Sequence, residues 1–194
     1  MKKDMDERGL GDVAVTRRQG LVAMGAAAAV SLLGSGSAVA KEFAGQFDQS
    51  NIKWNSIEGF ENIWYHIIRV DPEAKVVDII FKFAANKKVV LHRHHADYST
   101  FIIQGELRLY DKDGALKEIR PTGSFVQAKA GGAPHEEGGG HVDCIAWFSN
   151  WGTDGMIYEI LDADLNKVAE FGFNDFQGLF AAQAQPVQPT FPKI

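Results

Sequence analysis

Between residues 63 and 161 the chain reads as short apolar stretches set between polar breaks. Residues 63–70 are rich in β-branched and aromatic side chains, and Asp71 with Pro72 breaks them. Residues 76–83 follow, then a polar turn at Asn86, Lys87 and Lys88. Further strand signals lie at 89–94, 98–103, 106–110, 116–119, 125–128, 142–148 and 156–161. Asp113 and Gly114 form a two-residue hairpin signal between 107–110 and 116–119. Many short strands with Gly, Pro, Asn and Asp between them predict an all-β sandwich or barrel. No long helical period interrupts the series, and no internal repeat is visible. Trp64, Phe81, Phe83, Phe101, Phe125, Trp147 and Phe148 are expected inside such a barrel.

One strand signal carries chemistry. His92 and His94 are two residues apart, and on a strand positions i and i+2 share a face. Both imidazoles can therefore reach one ion. His135 follows Pro134, which fixes the backbone entering another strand-like run. Three neutral imidazoles suit iron, zinc, copper or nickel and suit magnesium or calcium poorly.

These residues resemble the two sequence motifs of the cupin superfamily. His92, Arg93 and His94 match the opening H-x-H, and Gly105 matches the glycine that closes the first motif. Gly123, Pro134 and His135 match the second motif. The run of His92 to His95 is most similar to one branch. That branch holds dihydroxyacetophenone dioxygenases, acetylacetone-cleaving dioxygenases and the cupin half of ChrR-type anti-sigma factors. The resemblance implies a cupin double-stranded β-helix, a jelly-roll barrel, over residues 60–178. It leaves an N-terminal arm at 41–59 and a C-terminal tail at 179–194. His92, His94 and His135 are the implied metal ligands. One position departs from the pattern: the slot usually held by glutamate is Tyr98. Tyr98 is open to three roles: a phenolate ligand, a hydrogen-bond donor near the reacting atoms, or a pocket wall. Without the carboxylate, a divalent ion on three neutral histidines would keep its full +2 charge and favour an anionic ligand. His95 alternates away from the pair. Asp97, Glu136 and Glu137 are candidates to orient the imidazoles or to lie on the solvated surface. His66 and His141 have no ligand spacing.

Function then divides into three readings. The first is an iron(II) dioxygenase that takes a small-molecule substrate and O2 and splits a carbon–carbon bond beside a carbonyl. The second is a non-catalytic metal or ligand sensor of the ChrR type; the anti-sigma domain of that family has no counterpart in this sequence. The third is a zinc-dependent hydrolase or isomerase, in which zinc on three histidines activates water. Iron(II) is the cofactor of the first reading, and zinc or another divalent transition metal that of the others.

Charge and the N-terminus set the surroundings. The 194 residues carry a formal net charge of −5 and no basic stripe, which gives no sign of a nucleic-acid partner. Residues 1–40 read as a cleaved leader. The stretch from Thr16 to Val22, with Arg17 and Arg18 paired, resembles a twin-arginine (Tat) export signal. An Ala- and Gly-rich segment follows, then the small residues Ser37, Ala38, Val39 and Ala40 of a cleavage site. That segment is too short and too weakly apolar to span a bilayer, so no stable membrane anchor is expected. The Tat machinery is the implied export partner, and a periplasmic or otherwise exported location follows. Removing residues 1–40 leaves 15 basic and 21 acidic residues, a net charge of −6. The single cysteine, Cys144, cannot form an internal disulfide and sits in an apolar run, so it is expected in the core. Residues 41–57 are expected to pack on the barrel or on another subunit, and a homo-oligomer is compatible with the sequence. The three prolines in 183–194 predict an extended, poorly packed end.

Overall fold

The computed structural model describes residues 47–183. The expected leader and the chain beyond Gln183 lie outside the described residues, as does the first part of the arm.

Period-2 alternation builds the inner faces. In β2 (Val76–Phe83) the side chains of Val77, Ile79, Phe81 and Phe83 are buried. In β9 (Cys144–Trp151) Cys144, Ala146, Phe148 and Asn150 are buried in the same way. These strands pair antiparallel along their whole length. They belong to a five-stranded sheet with β1 (Ile63–Asp71), β4 (Asp97–Gln104) and β7 (Phe125–Ala128), in the order β1-β2-β9-β4-β7. The second sheet has six strands. They are β3 (His92–His94), β5 (Glu106–Asp111), β6 (Leu116–Pro121), β8 (His135–Gly139), β10 (Met156–Leu161) and β11 (Lys167–Gly172), in the order β11-β10-β3-β8-β5-β6. One core joins the two: Val77, Phe81 and Phe148 from the first sheet pack with Leu107, Ile157 and Tyr158 from the second. Both sheets are antiparallel, so the expected all-β jelly-roll barrel is the observed architecture. Cys144 is fully buried, as expected.

Turn chemistry fixes the strand joints. The β5–β6 hairpin closes with Gly114 N–H donating to Asp111 O at 2.9 Å. Gly105 joins β4 to β5 at φ +71°, and a Cβ there would lie 2.8 Å from Asp143 O. Both facts require glycine at the position that closes the first motif.

Four features differ from the expectation. First, Phe101 and Phe125 lie on the outer face, 41% and 58% exposed. Strand parity is the reason: Tyr98, Thr100 and Ile102 take the inner positions of β4, which turns Phe101 outward. Phe101 stands opposite Trp147 on one side and Phe125 on the other, an apolar row across three strands. Trp64 and Trp147 are half-buried rather than interior. Second, β8 and β11 are strands. The HEEGG run of β8 has poor strand propensity, but β8 lies between β3 and β5 and both supply pairing partners. Third, α1 (Phe173–Ala182) runs through the expected boundary at residue 178 and buries Phe173 and Phe176 in the core. Gly172 N–H donates to Asp175 Oδ2 at its start. Fourth, Gln183 is buried rather than part of a loose tail. Its side-chain amide donates to Ile67 O at 2.6 Å and accepts from Ile67 N–H at 2.9 Å.

The described part of the arm packs on the barrel. Phe47 N–H donates to Gln104 Oε1, Asn55 pairs with Tyr65, and Lys53 O faces His66 Nδ1.

Candidate metal centre

Strand β3 places His92 and His94 on one inner face, both buried. The pairing of β3 with β8 sets His135 directly across from His92. Glu137 follows two residues later on β8, so it shares the face of His135. The result is a cluster of His92, His94, His135 and Glu137 whose nearest ligand atoms all lie within 4.8 Å of one another. Among the described residues it is the one group of this kind. His92 Nε2 and His94 Nε2 are 3.2 Å apart, and Glu137 Oε2 is 3.8 Å from His92 Nε2. Glu137 Oε1 is 3.8 Å from His135 Nε2. Donors about 2.1 Å from a shared ion would sit roughly 3–4 Å apart, so these side chains need only small adjustments.

Hydrogen bonds point the imidazoles inward. His92 Nδ1 lies 3.0 Å from Val90 O, and His135 Nδ1 lies 3.1 Å from Ala133 O. A carbonyl oxygen only accepts, so each Nδ1 carries the proton and each Nε2 presents a bare lone pair. His94 is held differently. Tyr98 stacks on it at 3.9 Å between ring centroids, and Tyr158 packs edge-on at 4.9 Å. Three buried polar atoms of the cluster have no hydrogen-bond partner: His94 Nδ1, His135 Nε2 and Glu137 Oε1. Buried polar groups are rarely left so, and an ion in the cluster would engage the His135 and Glu137 atoms, though not His94 Nδ1 if His94 ligates through Nε2. The donor set fits a divalent transition metal, which would take up converging lone pairs.

The protonation of His92, His94 and Glu137 agrees with that fit, and at His135 an ion would have to displace a proton that Glu137 favours. Burial holds His92 below the usual histidine range, against the pull of Glu137. Burial also holds His94 well below it, helped by the neighbouring His92 and His135. Burial opposes charging of His135, but the adjacent Glu137 outweighs it and draws its pKa up. Burial alone would raise the Glu137 carboxyl; His135, His92 and Arg120 outweigh it and keep the group below the usual range. Glu137 is therefore an ionised carboxylate, only 4% exposed.

Glu137 changes the electrostatics expected from sequence. The first-motif carboxylate is absent at Tyr98, but a carboxylate arrives from β8, two residues past the end of the second motif. A divalent ion here would face one negative charge, which leaves +1 rather than +2. The spacing of His135 and Glu137 was the available signal, since it repeats that of His92 and His94.

The other candidates resolve simply. Burial pushes the Tyr98 phenol up to about 12, with Glu137 adding to the rise, so Tyr98 is neutral. It stacks on His94 and walls a cavity that also carries Lys117, Glu118 and Lys129. Arg120 is buried behind it, donating to Thr100 Oγ1 and forming a two-pronged pair with Glu118. His95 turns away and pairs with Glu159 at 3.0 Å. Asp97 pairs with Lys129 and Glu136 with Lys88, so neither orients an imidazole. His66 is buried on β1 and His141 is exposed.

Two cavities meet the cluster. One, about 260 Å³, reaches His94, Tyr98 and His135 past Lys117, Glu118 and Lys129. The other, about 70 Å³, reaches His92 and Glu137 between aromatic walls.

No protein-family model matches the chain, and no curated protein matches it by sequence. Solved structures do match. An acetylacetone dioxygenase from Acinetobacter johnsonii superposes with a TM-score of 0.56 at 16% identity, over 71% of this chain and 89% of its own. An RmlC-like cupin from Ralstonia eutropha gives 0.56 at 18% identity, over 71% and 84%. A candidate acetylacetone dioxygenase from Methylibium petroleiphilum gives 0.56 at 19% identity, over 71% and 94%. At these identities the likeness shows the fold, and the fold is that of the cupins.

Proposed function

We propose that the protein is an exported metal-dependent cupin dioxygenase that cleaves a carbon–carbon bond beside a carbonyl, in a diketone or hydroxyaryl ketone. The observation that carries this reading is the buried cluster of three inward-pointing imidazoles and Glu137. The fold likeness to acetylacetone dioxygenases is compatible with that reaction type. Iron(II), when bound, would supply the redox chemistry with O2 and a Lewis-acid contact for a carbonyl oxygen.

The chain supplies the rest. His92, His94 and His135 hold the ion, and Glu137 balances part of its charge. With a net +1 centre, an enolate is still attracted, though less than by a bare dication. Neutral Tyr98 has a hydroxyl to donate at the wall of the larger cavity, through which an oxygen-bearing substrate reaches His94 and His135. The aromatic wall behind His92 excludes water and holds reacting groups together.

The test is O2 uptake with a panel of β-diketones and hydroxyaryl ketones, run on iron-loaded, zinc-loaded and metal-free protein. Uptake at least tenfold faster with iron is expected, with Tyr98→Phe lowering it. Equal rates with and without iron across the panel would leave the sensor and the zinc hydrolase or isomerase readings in place of this one.

Export belongs to the same proposal. With Arg17 and Arg18 both changed to lysine, the periplasmic fraction of the protein is expected to fall severalfold. Undiminished periplasmic protein would count against the twin-arginine route.

A further inference from the structure

The two cavities beside the cluster share no lining residue, and they differ in the charge they carry. The larger one mixes the charged side chains of Asp111, Lys117, Glu118 and Lys129 with apolar wall from Leu109 and Pro134. The smaller one is walled by rings and aliphatic side chains, with Phe81, Phe148 and Phe176 deep inside. Its polar-bearing residues are His92, Glu137 and Tyr158, and the first two belong to the cluster. Tyr158 donates to Asn150 Oδ1 at 3.2 Å, so its hydroxyl is already engaged.

We propose that this apolar cavity is a second ligand compartment, for a small uncharged apolar group held against the His92 and Glu137 side of the cluster. Its place beside a reaction centre rests on the function proposed above. Several observations support it. Away from His92 and Glu137 its wall offers water no polar partner except the engaged Tyr158, and a water needs two to four. A volume of about 70 Å³ is several times what one water requires, which suits a diatomic gas or a short alkyl group. The cavity also has an entrance, since half-buried Ile57 and Phe60 and the more exposed Val90 form its rim. Helix α1 closes the far side with Phe176, which packs on Tyr158 at 5.9 Å between centroids. A reactant with an oxygen-bearing part and an apolar part can therefore meet the cluster from two sides. The shared chemistry has two sources, a free molecule such as dioxygen or the alkyl end of the substrate.

The test uses the full chain, zinc-loaded and metal-free, and reads isoleucine methyl signals by NMR. Xenon is expected to shift the methyls of Ile63 and Ile160 in both forms. The zinc-loaded form is then titrated with 2,4-diketones of increasing chain length, from pentane-2,4-dione to nonane-2,4-dione. If the alkyl end enters, affinity rises by about fourfold per methylene until the cavity is full. Xenon shifts with a flat series assign the cavity to a free small molecule, and a rising series assigns it to the substrate. Val90→Trp and Ile57→Trp each fill the rim and are expected to remove the xenon shifts and flatten the series. No xenon shift in either form together with a flat series overturns the proposal. So do shifts that survive both rim variants. The xenon arm needs neither iron nor turnover, so a failed oxygen-uptake assay leaves it standing.

Discussion

His94→Ala is expected to lower metal affinity by at least about 100-fold while the protein keeps its β-rich far-UV spectrum. Loss of groups that merely orient ligands costs 10–100-fold in metal sites, so loss of a donor sets a higher floor. His94 is the sharpest choice because its orientation comes from Tyr98 and Tyr158, not from a backbone carbonyl. Its removal disturbs no other hydrogen bond except the close approach to His92 Nε2. The core of Val77, Ile79, Phe148 and Leu107 does not touch the imidazole's role, so folding survives. His92→Ala and His135→Ala are expected to behave alike, and His95→Ala to retain metal, since His95 pairs with Glu159 outside the cluster. Competition against a chelator, with elemental analysis, reads all four. Full occupancy in any of the first three removes that residue from the ligand set.

Gly138→Ala is expected to destabilise the fold by on the order of 3 kcal/mol, the upper range for forcing atoms into a packed site. A Cβ at Gly138 would collide with the backbone carbonyl of Lys87. The obstacle is the main chain of Lys87 and Lys88, so no side-chain rotation relieves the contact. The cause lies in the crossing of the β2–β3 connection over β8. Val89 N–H donates to Glu137 O and Asn86 N–H to Gly140 O, both at 2.8 Å, which draws the connection onto the strand. For a domain of this size the loss is a melting-temperature drop of roughly 10 °C. Gly178→Ala is the contrast: Gly178 is exposed in α1 with open space around it, so alanine is expected to stabilise by roughly 0.5–1 kcal/mol. Thermal unfolding of both variants decides the matter, and an unchanged midpoint in Gly138→Ala would show that the crossing gives way.

The clustering of the three histidines was legible from sequence because their geometry is local. Two of them sit at i and i+2, and the third follows a proline at a strand entrance. Glu137 was not, because its role depends on β8 being a strand, and glycine-rich HEEGG gives no propensity signal for one. Only pairing with β3 and β5 makes it a strand. The outward turn of Phe101 was hidden for another reason. Ser99, Thr100, Phe101, Ile102 and Ile103 mix polar and apolar residues on both parities, so the pattern cannot choose a face. Helix α1 did carry a signal, with Phe173, Phe176 and Phe180 at helical spacing. A boundary placed inside it concealed the period.

The double contact between Gln183 and Ile67 has a consequence for how the chain is made. β1 is an edge strand, and an unpaired edge invites another chain to add itself as a further strand. Asn55 occupies the edge at Tyr65, and the amide of Gln183 imitates a neighbouring strand at Ile67. The second seal comes from a residue 116 positions away in sequence. While a nascent chain is still short of Gln183, the edge at Ile67 stays open to edge-to-edge association. Docking of α1, which seats its C-cap Gln183 at Ile67, thus ends the interval in which this stretch of the β1 edge is adhesive.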